Sequence, residues 1–299
     1  MTFARRKINV TFQLGKGSFG ADGFDTVKVS GLRTSASITM GTGVQAAECN
    51  LRVWGLAPDI MNKLTILKQD LTQKMAKAAN FVTIEAGDDD SGMSVVFTGG
   101  ISEARADLSA MPDTSFVLSA YTTLIDALKP VQPISFKGSV DAALVMQTIA
   151  ASMGRTLENS GVSVQLRDPY FPGTAIDQMN AVKRAGNFNA VADPNKQVLA
   201  IWPLNQVRQG LIPLISRDTG MVGYPTYSEN GISLTTLYLP GLSPGGAIKV
   251  ESDLTPASGQ WATYLVSHDL EAELPGGRWF THIECGLFGS DAPLVKASA

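Results

Sequence analysis

Glycine and proline cut this chain so often that long helices have little room. There are 29 glycines and 15 prolines in 299 residues, so a breaker falls every few positions. Between the breakers lie short runs rich in Val, Ile and Thr, several of which alternate apolar and polar residues with a period of two. In "KINVTFQLG" (7–15), Ile8, Val10 and Phe12 fall on one face. In "AECNLRVWGL" (47–56), Cys49, Leu51 and Val53 do the same. "FDTVKVSGLRTSASITM" (24–40) reads as strand, turn, strand. "NFVTIEAGDDDSGMSVVFTGGIS" (80–102) reads as a hairpin with Asp88, Asp89 and Asp90 at its tip. "PDIMNKLTIL" (58–67) has room for a turn or two of helix, with Pro58 at an early position.

The texture changes after residue 129. In "SVDAALVMQTIAASMG" (139–154), Val145, Ile149 and Met153 recur at helical spacing, with Ser139 expected to cap the start and Gly154 the end. "GTAIDQMNAVKRAGN" (173–187) predicts a second helix with Thr174 as N-cap, Ile176, Met179 and Val182 as its stripe, and Gly186 as its stop. "QVLAIWPL" (197–204) reads as a strand ended by Pro203. After Gln206 the strands return: 231–239, 245–252, 259–274 and 277–286. The expected class is therefore mainly β (α+β): two β regions with a small α/β segment between them. The boundaries expected are 1–129 for the first β domain, 130–205 for the insert with two helices, 206–290 for the second β domain and 291–299 for a C-terminal tail.

The two β regions share a weak pattern. Each has a strand ending in Gly-Leu-x-Pro (Gly55 to Pro58, Gly241 to Pro244). Each follows it with a strand bearing Ser102 or Ser267, a turn at Pro112 or Pro275, and a strand opening on Phe116 or Trp279. The spacings differ, but the pattern predicts one β unit used twice.

The stretch "LVSHDLEAELPGGRWFTHIECG" (265–286) carries both histidines, four acidic residues and one of the two cysteines, which raises the question of an active site. Its spacing favours a hairpin instead. Pro275-Gly276 suits the centre of a type II turn. Beyond it Trp279, Thr281, Ile283 and Cys285 share one face, and Arg278, Phe280, His282 and Glu284 the other. Cys285 thus points with the apolar set, whereas a catalytic cysteine needs a polar, electropositive setting. His268 and His282 can approach across the hairpin, but two histidines and one carboxylate make a thin metal site. Asp88–Asp90 lacks the ordered ligand spacing of a calcium loop. No catalytic, cofactor-binding or metal residues are therefore assigned. Phosphate-loop and nucleophile-elbow motifs are absent, and the glycine-rich "GKGSFGADG" (15–23) reads as a turn because no helix opens after it.

Charged residues are 17% of the chain and the net charge is −3 without a basic block, which argues against nucleic-acid recognition. No apolar run approaches membrane length. "MTFARRKINV" has a positive pair without an apolar region behind it, unlike a signal peptide. Cys49 and Cys285 read as buried thiols rather than a disulfide framework.

Several segments, in order over nearly the whole chain, resemble the baseplate hub proteins of contractile-tailed bacteriophages. They are "VSGLRTSASI" (29–38), "LRVWGLAPDIMNKLT" (51–65), "VTIEAGDDDSGMSVVFTGGI" (82–101), "RDPYFPGTAIDQM" (167–179), "LAIWP" (199–203), "TGMVGYPTYSENGI" (219–232) and "VSHDLEAELPGGRWFT" (266–281). The resemblance implies a structural virion protein of the tail baseplate, made in the host cytoplasm and without enzymatic activity. It implies a homotrimer in which each chain has two tube-like antiparallel β-barrel or sandwich domains with an inserted small α/β segment, and in which these domains make a pseudo-sixfold ring joining the sixfold tail tube to the threefold central spike. The partners implied are the spike protein, the tail tube or a distal tube-initiator protein, and a tape-measure protein. DNA would pass through the lumen without sequence-specific binding, and no membrane is implied. Hub proteins of larger phages are longer, so their accessory contacts do not carry over. The side chains facing the hole are expected to be polar or acidic in the majority, on strands within 25–40, 80–100 or 228–252. Two other classes compete. A tail-tip cell-wall hydrolase would need two placed carboxylates, for which Glu271 and Glu273 share a strand face. A sugar-binding adhesin would need exposed loop aromatics, yet Trp54, Trp202 and Trp279 lie in or beside strands.

Overall fold

The computed structural model describes residues 5–20, 22–43, 46–66, 79–228 and 230–289; the expected tail, 291–299, lies outside them. The chain opens with β1 (Arg6–Gln13), β2 (Thr26–Val29), β3 (Thr34–Gly41) and β4 (Glu48–Trp54). Helix α1 (Pro58–Leu64) precedes β5 (Phe81–Asp88), β6 (Gly92–Asp107) and β7 (Ser115–Tyr121). The middle segment holds α2 (Leu124–Leu128), β8 (Ile134–Ser135), β9 (Ser139–Asp141), α3 (Ala142–Ser152) and β10 (Thr156–Asn159). It continues through β11 (Gln165–Arg167), β12 (Tyr170–Phe171), α4 (Ala175–Gly186), β13 (Phe188–Asp193) and β14 (Val198–Pro203). The last part has β15 (Leu214–Ile215), β16 (Met221–Ser228), β17 (Gly231–Leu237), β18 (Ala247–Val250), β19 (Gly259–Ala272) and β20 (Trp279–Gly286).

The fold is mainly β, as the alternation requires. One thirteen-stranded sheet runs β16-β17-β20-β19-β3-β4-β7-β6-β5-β1-β2, with β18 also on β19 and β15 on β18. Its pairs are antiparallel apart from β15 with β18. The apolar faces read from the sequence are the ones buried: Ile8, Val10 and Phe12 in β1, and Cys49, Leu51 and Val53 in β4. Each such side chain contributes roughly 1.5–3 kcal/mol of transfer free energy. A single core collects these with Trp279, Ile283 and Cys285 from β20, so both β regions share one apolar interior.

The same strand order occurs twice. β3-β4-β7-β6-β5 in the first region is matched by β16-β17-β20-β19-β18 in the second. The Gly-Leu-x-Pro turns fall at equivalent places after β4 and β17, with Gly55 and Gly241 at φ 76° and 80° and Leu56 and Leu242 buried. The two units are joined edge to edge: β3 pairs with β19 from Thr34 opposite Ala272 to Gly41 opposite Leu265.

The middle segment has its own core of Val145, Met146, Ile149, Met179, Val182, Leu199 and Ile201 against the β10-β14-β13 sheet. Thr174 caps α4 as expected, in a capping box with Asp177. Two caps differ from expectation. Ser139 is held in the β9–β11 ladder opposite Arg167, so Asp141 caps α3, accepting from the Ala143 amide at 2.8 Å. Gly186 remains helical because the Phe188 ring lies where a Cβ would be, at 2.5 Å; Asn187 takes the left-handed φ of 52° instead. Two buried arginines tie this segment to the sheet. Arg155 reaches Asp126 at 2.6 Å and the Thr122 carbonyl at 2.9 Å. Arg208 lies between Glu158, Asp193 and the Pro244 carbonyl.

A candidate functional face on eight strands

Alternation gives every strand of the sheet a second face, and on the eight strands from β16 to β6 that face is polar. Directly opposed residues of paired strands point the same way, so the registers define rows across the sheet. One row runs Val222, Thr235, His282, Ser267, Thr39, Glu48, Tyr121. The next runs Leu237, Phe280, Asp269, Ser37, Asn50, Ser119, Glu103. A third runs Glu271, Ser35, Arg52, Val117, Arg105. All three rows start in the second unit and cross into the first without a break at the β19–β3 joint.

The charge on this face is mainly negative. Glu48, Glu103, Asp107, Asp269, Glu271 and Glu284 stand against Arg52, Arg105 and Arg278. Short polar contacts fix the side chains. Ser119 donates to Asn50 Oδ1 at 2.7 Å, Arg52 lies 3.3 Å from Asp107, and Arg105 pairs with Glu103. Arg278 bridges to Glu271 at 3.1 Å. The hydroxyl and amide of Ser109, with Arg52 beside them, hold Asp107 below the usual carboxylate range. Burial pushes Glu271 up, but the Arg278 amide and guanidinium outweigh it and leave the group low. Both remain ionised at neutral pH.

The 265–286 stretch is the β19–β20 hairpin. Its turn is the expected one, with Gly276 at φ 70° and the Gly277 amide donating to the Leu274 carbonyl at 3.1 Å. The two histidines do not meet. His268 is on the core face, 1% exposed, with Nδ1 2.9 Å from Thr281 Oγ1 and its ring edge-on to Tyr238. His282 is on the polar face, 2.9 Å from Thr235 Oγ1 and 3.6 Å from Asp269. A sheet separates them, because paired positions alternate sides. Glu271 and Glu273 are not a pair either. Glu273 lies past the strand end at φ 56° and is bound by Arg5, while Glu271 is bound by Arg278. Asp88 is used by its own turn, accepting from the Asp90 and Ser91 amides, and Asp89 pairs with Lys7. Among the described residues no cluster of three or more metal-binding side chains occurs, and no helix is long and apolar enough to cross a membrane.

Burial presses the His268 pKa down to about 4 against the pull of Asp269. An unfolded histidine titrates near 6.5. Above that pH both states are neutral and the fold keeps its full stability. As pH falls the unfolded chain takes up a proton that the folded chain refuses. Stability is therefore expected to drop by about 1.4 kcal/mol per pH unit between those values, roughly 3 kcal/mol in all. A urea titration series from pH 7 to pH 4 checks this, and His268→Gln should flatten the slope. Burial likewise raises the Cys49 and Cys285 thiols far above their ordinary range, disfavouring thiolate. Cys285→Ala is expected to cost about 1–3 kcal/mol through lost packing alone, measured by the same titration.

Solved tail proteins have a similar fold. The 43 kDa tail protein of prophage MuSo2 from Shewanella oneidensis is similar over 93% of this chain and 96% of its own, with a TM-score of 0.60 at 9% identity. A tail protein from Neisseria meningitidis matches with a TM-score of 0.58 at 8% identity, over 93% and 96% of the two chains. An E. coli component of the type VI secretion system, described as structurally similar to the T4 tail proteins gp27 and gp5, matches with a TM-score of 0.54 at 12% identity. That match covers 89% of this chain and 76% of the other. Comparison with curated protein sequences finds no match. The sequence profile of the baseplate hub gp41 family matches residues 7–274, and the chain belongs to that family. It is thus a structural protein of the phage tail baseplate.

Proposed function

We propose that three copies of this chain form a ring of six β units at the distal end of the tail tube, with the polar face of the eight strands lining the hole. The observation that carries this is the repeated strand order joined at β3–β19, since a ring needs units that present one shape at successive joints. Three chains of two units each present threefold symmetry to a central spike and near-sixfold symmetry to the tube. The excess of carboxylates over guanidiniums suits a wall past which DNA slides, because a basic wall would bind phosphates through counterion release. Of the segments expected to line the hole, β3 and β17 lie in this face. β5, most of the β5–β6 hairpin and β18 lie outside it. The tape-measure protein would end in the same lumen.

The assembled role needs no chemistry from the chain. The carboxylates Glu271 and Glu273 are each held by their own arginine, and both thiols are buried. Single alanine replacements of His268, His282 and Cys285 should leave no hydrolytic step missing, as a cell-wall turbidity assay would show. The direct test is the mass of the isolated hub–spike complex. Three copies of this chain per spike trimer are expected; six copies would contradict the reading.

A further inference from the structure

A cleft of about 350 Å³ opens where the middle segment meets the second β unit. One wall is the loop after β14, with Arg208, Leu211 and Pro213; the other is the turn after β17, with Pro240, Leu242 and Ser243. The lip of the cleft is apolar and faces water. Leu211 is 98% exposed, Ile212 47% and Leu214 39%, three large apolar side chains within four positions. A contiguous apolar surface of this kind marks a place where something docks. The backbone there is open as well. Among the described residues the amides of Gly210, Leu211 and Ile212 donate no hydrogen bond, and the buried Ser243 hydroxyl accepts none. Groups like these take their partners from whatever covers them.

The chain itself leads to this place. After β20 it returns to the same loop, where the Gly289 amide donates to the Asn205 carbonyl at 2.6 Å. Asn205 stands six positions before Leu211, and residues 290–295 are six in number. Even a fully extended loop therefore leaves Leu211 within their reach. Their composition fits the cleft. Ala292, Pro293, Leu294 and Val295 form an apolar run, and the fixed φ of proline lowers the entropy lost on docking. Asp291 precedes the run, and Lys196 on the cleft wall makes no ion pair among the described residues.

We infer that residues 292–295 dock in this cleft of their own chain and strap the middle segment to the second β unit. Arg208 already ties the two from inside, through Glu158, Asp193 and the Pro244 carbonyl; the strap closes the same junction from outside. The inference is independent of the ring reading.

The test is hydrogen exchange on the free full chain. The amides of residues 210–212 should be slowed, although no described residue holds them. Leu294→Asp should speed their exchange about tenfold, the factor that burying a single leucine side chain supplies. Unchanged exchange in that variant would overturn the docking. Protection that appears only in hub–spike complexes would also overturn it, giving the cleft to a partner. A second arm asks whose tail docks. Leu211→Cys combined with Leu294→Cys should give a cross-linked monomer on oxidation. Linked dimers would mean that the cleft takes the tail of a second copy, and they would overturn the strap, as would the absence of any link.

Discussion

Replacing Arg208 by alanine is expected to destabilise the fold by about 3–5 kcal/mol, because it leaves a buried carboxylate without its partner. Arg208 is almost fully buried. It contacts Glu158 through two nitrogens at 2.8 and 2.9 Å, Asp193 at 2.8 Å and the Pro244 carbonyl at 3.1 Å. Asp193 is wholly buried; burial pushes its pKa up, and Arg208 together with the hydrogen bonds that Asp193 accepts, the Asn195 amide among them, more than reverses that. Burial works against the charged Arg208 too, and the two carboxylates outweigh it. Removing the guanidinium leaves Asp193 to its desolvation. Because the folded pKa of Asp193 is depressed, its contribution is present above the unfolded carboxylate range and fades as pH falls through the folded value. Urea unfolding at pH 7 checks the loss. Adding Asp193→Asn to Arg208→Ala should recover part of it, since no buried charge then remains unpaired.

Gly245→Leu should cost nearly as much, about 2–5 kcal/mol, for two separate reasons. Gly245 has φ 83°, a conformation that costs an L-residue roughly 1–2 kcal/mol. A Cβ there would also lie 2.4 Å from the ring of Trp202, a buried residue of β14, and overpacking of this kind costs about 1–3 kcal/mol. Gly241 separates the two contributions. It has φ 80° but nothing within 4 Å of its Cβ position, so Gly241→Ala should show only the backbone cost. Thermal unfolding of the two variants side by side measures the difference. Both Arg208 and Gly245 sit where the middle segment meets the second β unit, so the losses should appear as weakened docking of that segment.

The strands were legible because their faces are chemically unequal. Ile8, Val10 and Phe12, or Cys49, Leu51 and Val53, announce a buried side by alternation alone. The same alternation held the polar face in view, since Glu48, Arg52, Glu103, Arg105, Asp269 and Glu271 all fall on the complementary positions. What the sequence could not show is which polar faces are continuous. That depends on β3 meeting β19, a pairing between residues more than two hundred positions apart, with no local signal. The separation of His268 from His282 is also a register effect: each sits opposite a residue next to the other, and one step along a strand changes sides. Arg208 had no signal at all in "NQVRQGLIP", because its partners Glu158 and Asp193 come from strands of the middle segment. The two caps that differ do so for local reasons. Ser139 was already used by a strand, and the Phe188 ring needed the place a Cβ would take at Gly186.

The most direct test is a reconstruction of the hub within its baseplate. The expected density is a ring of three chains, each giving two β units. Ser37, Asn50, Ser119, Asp269 and Glu271 should face the hole, and carboxylates within it should outnumber lysines and arginines. A ring of six chains would contradict the account, as would one whose hole is lined by the opposite faces of these strands or by an excess of basic side chains.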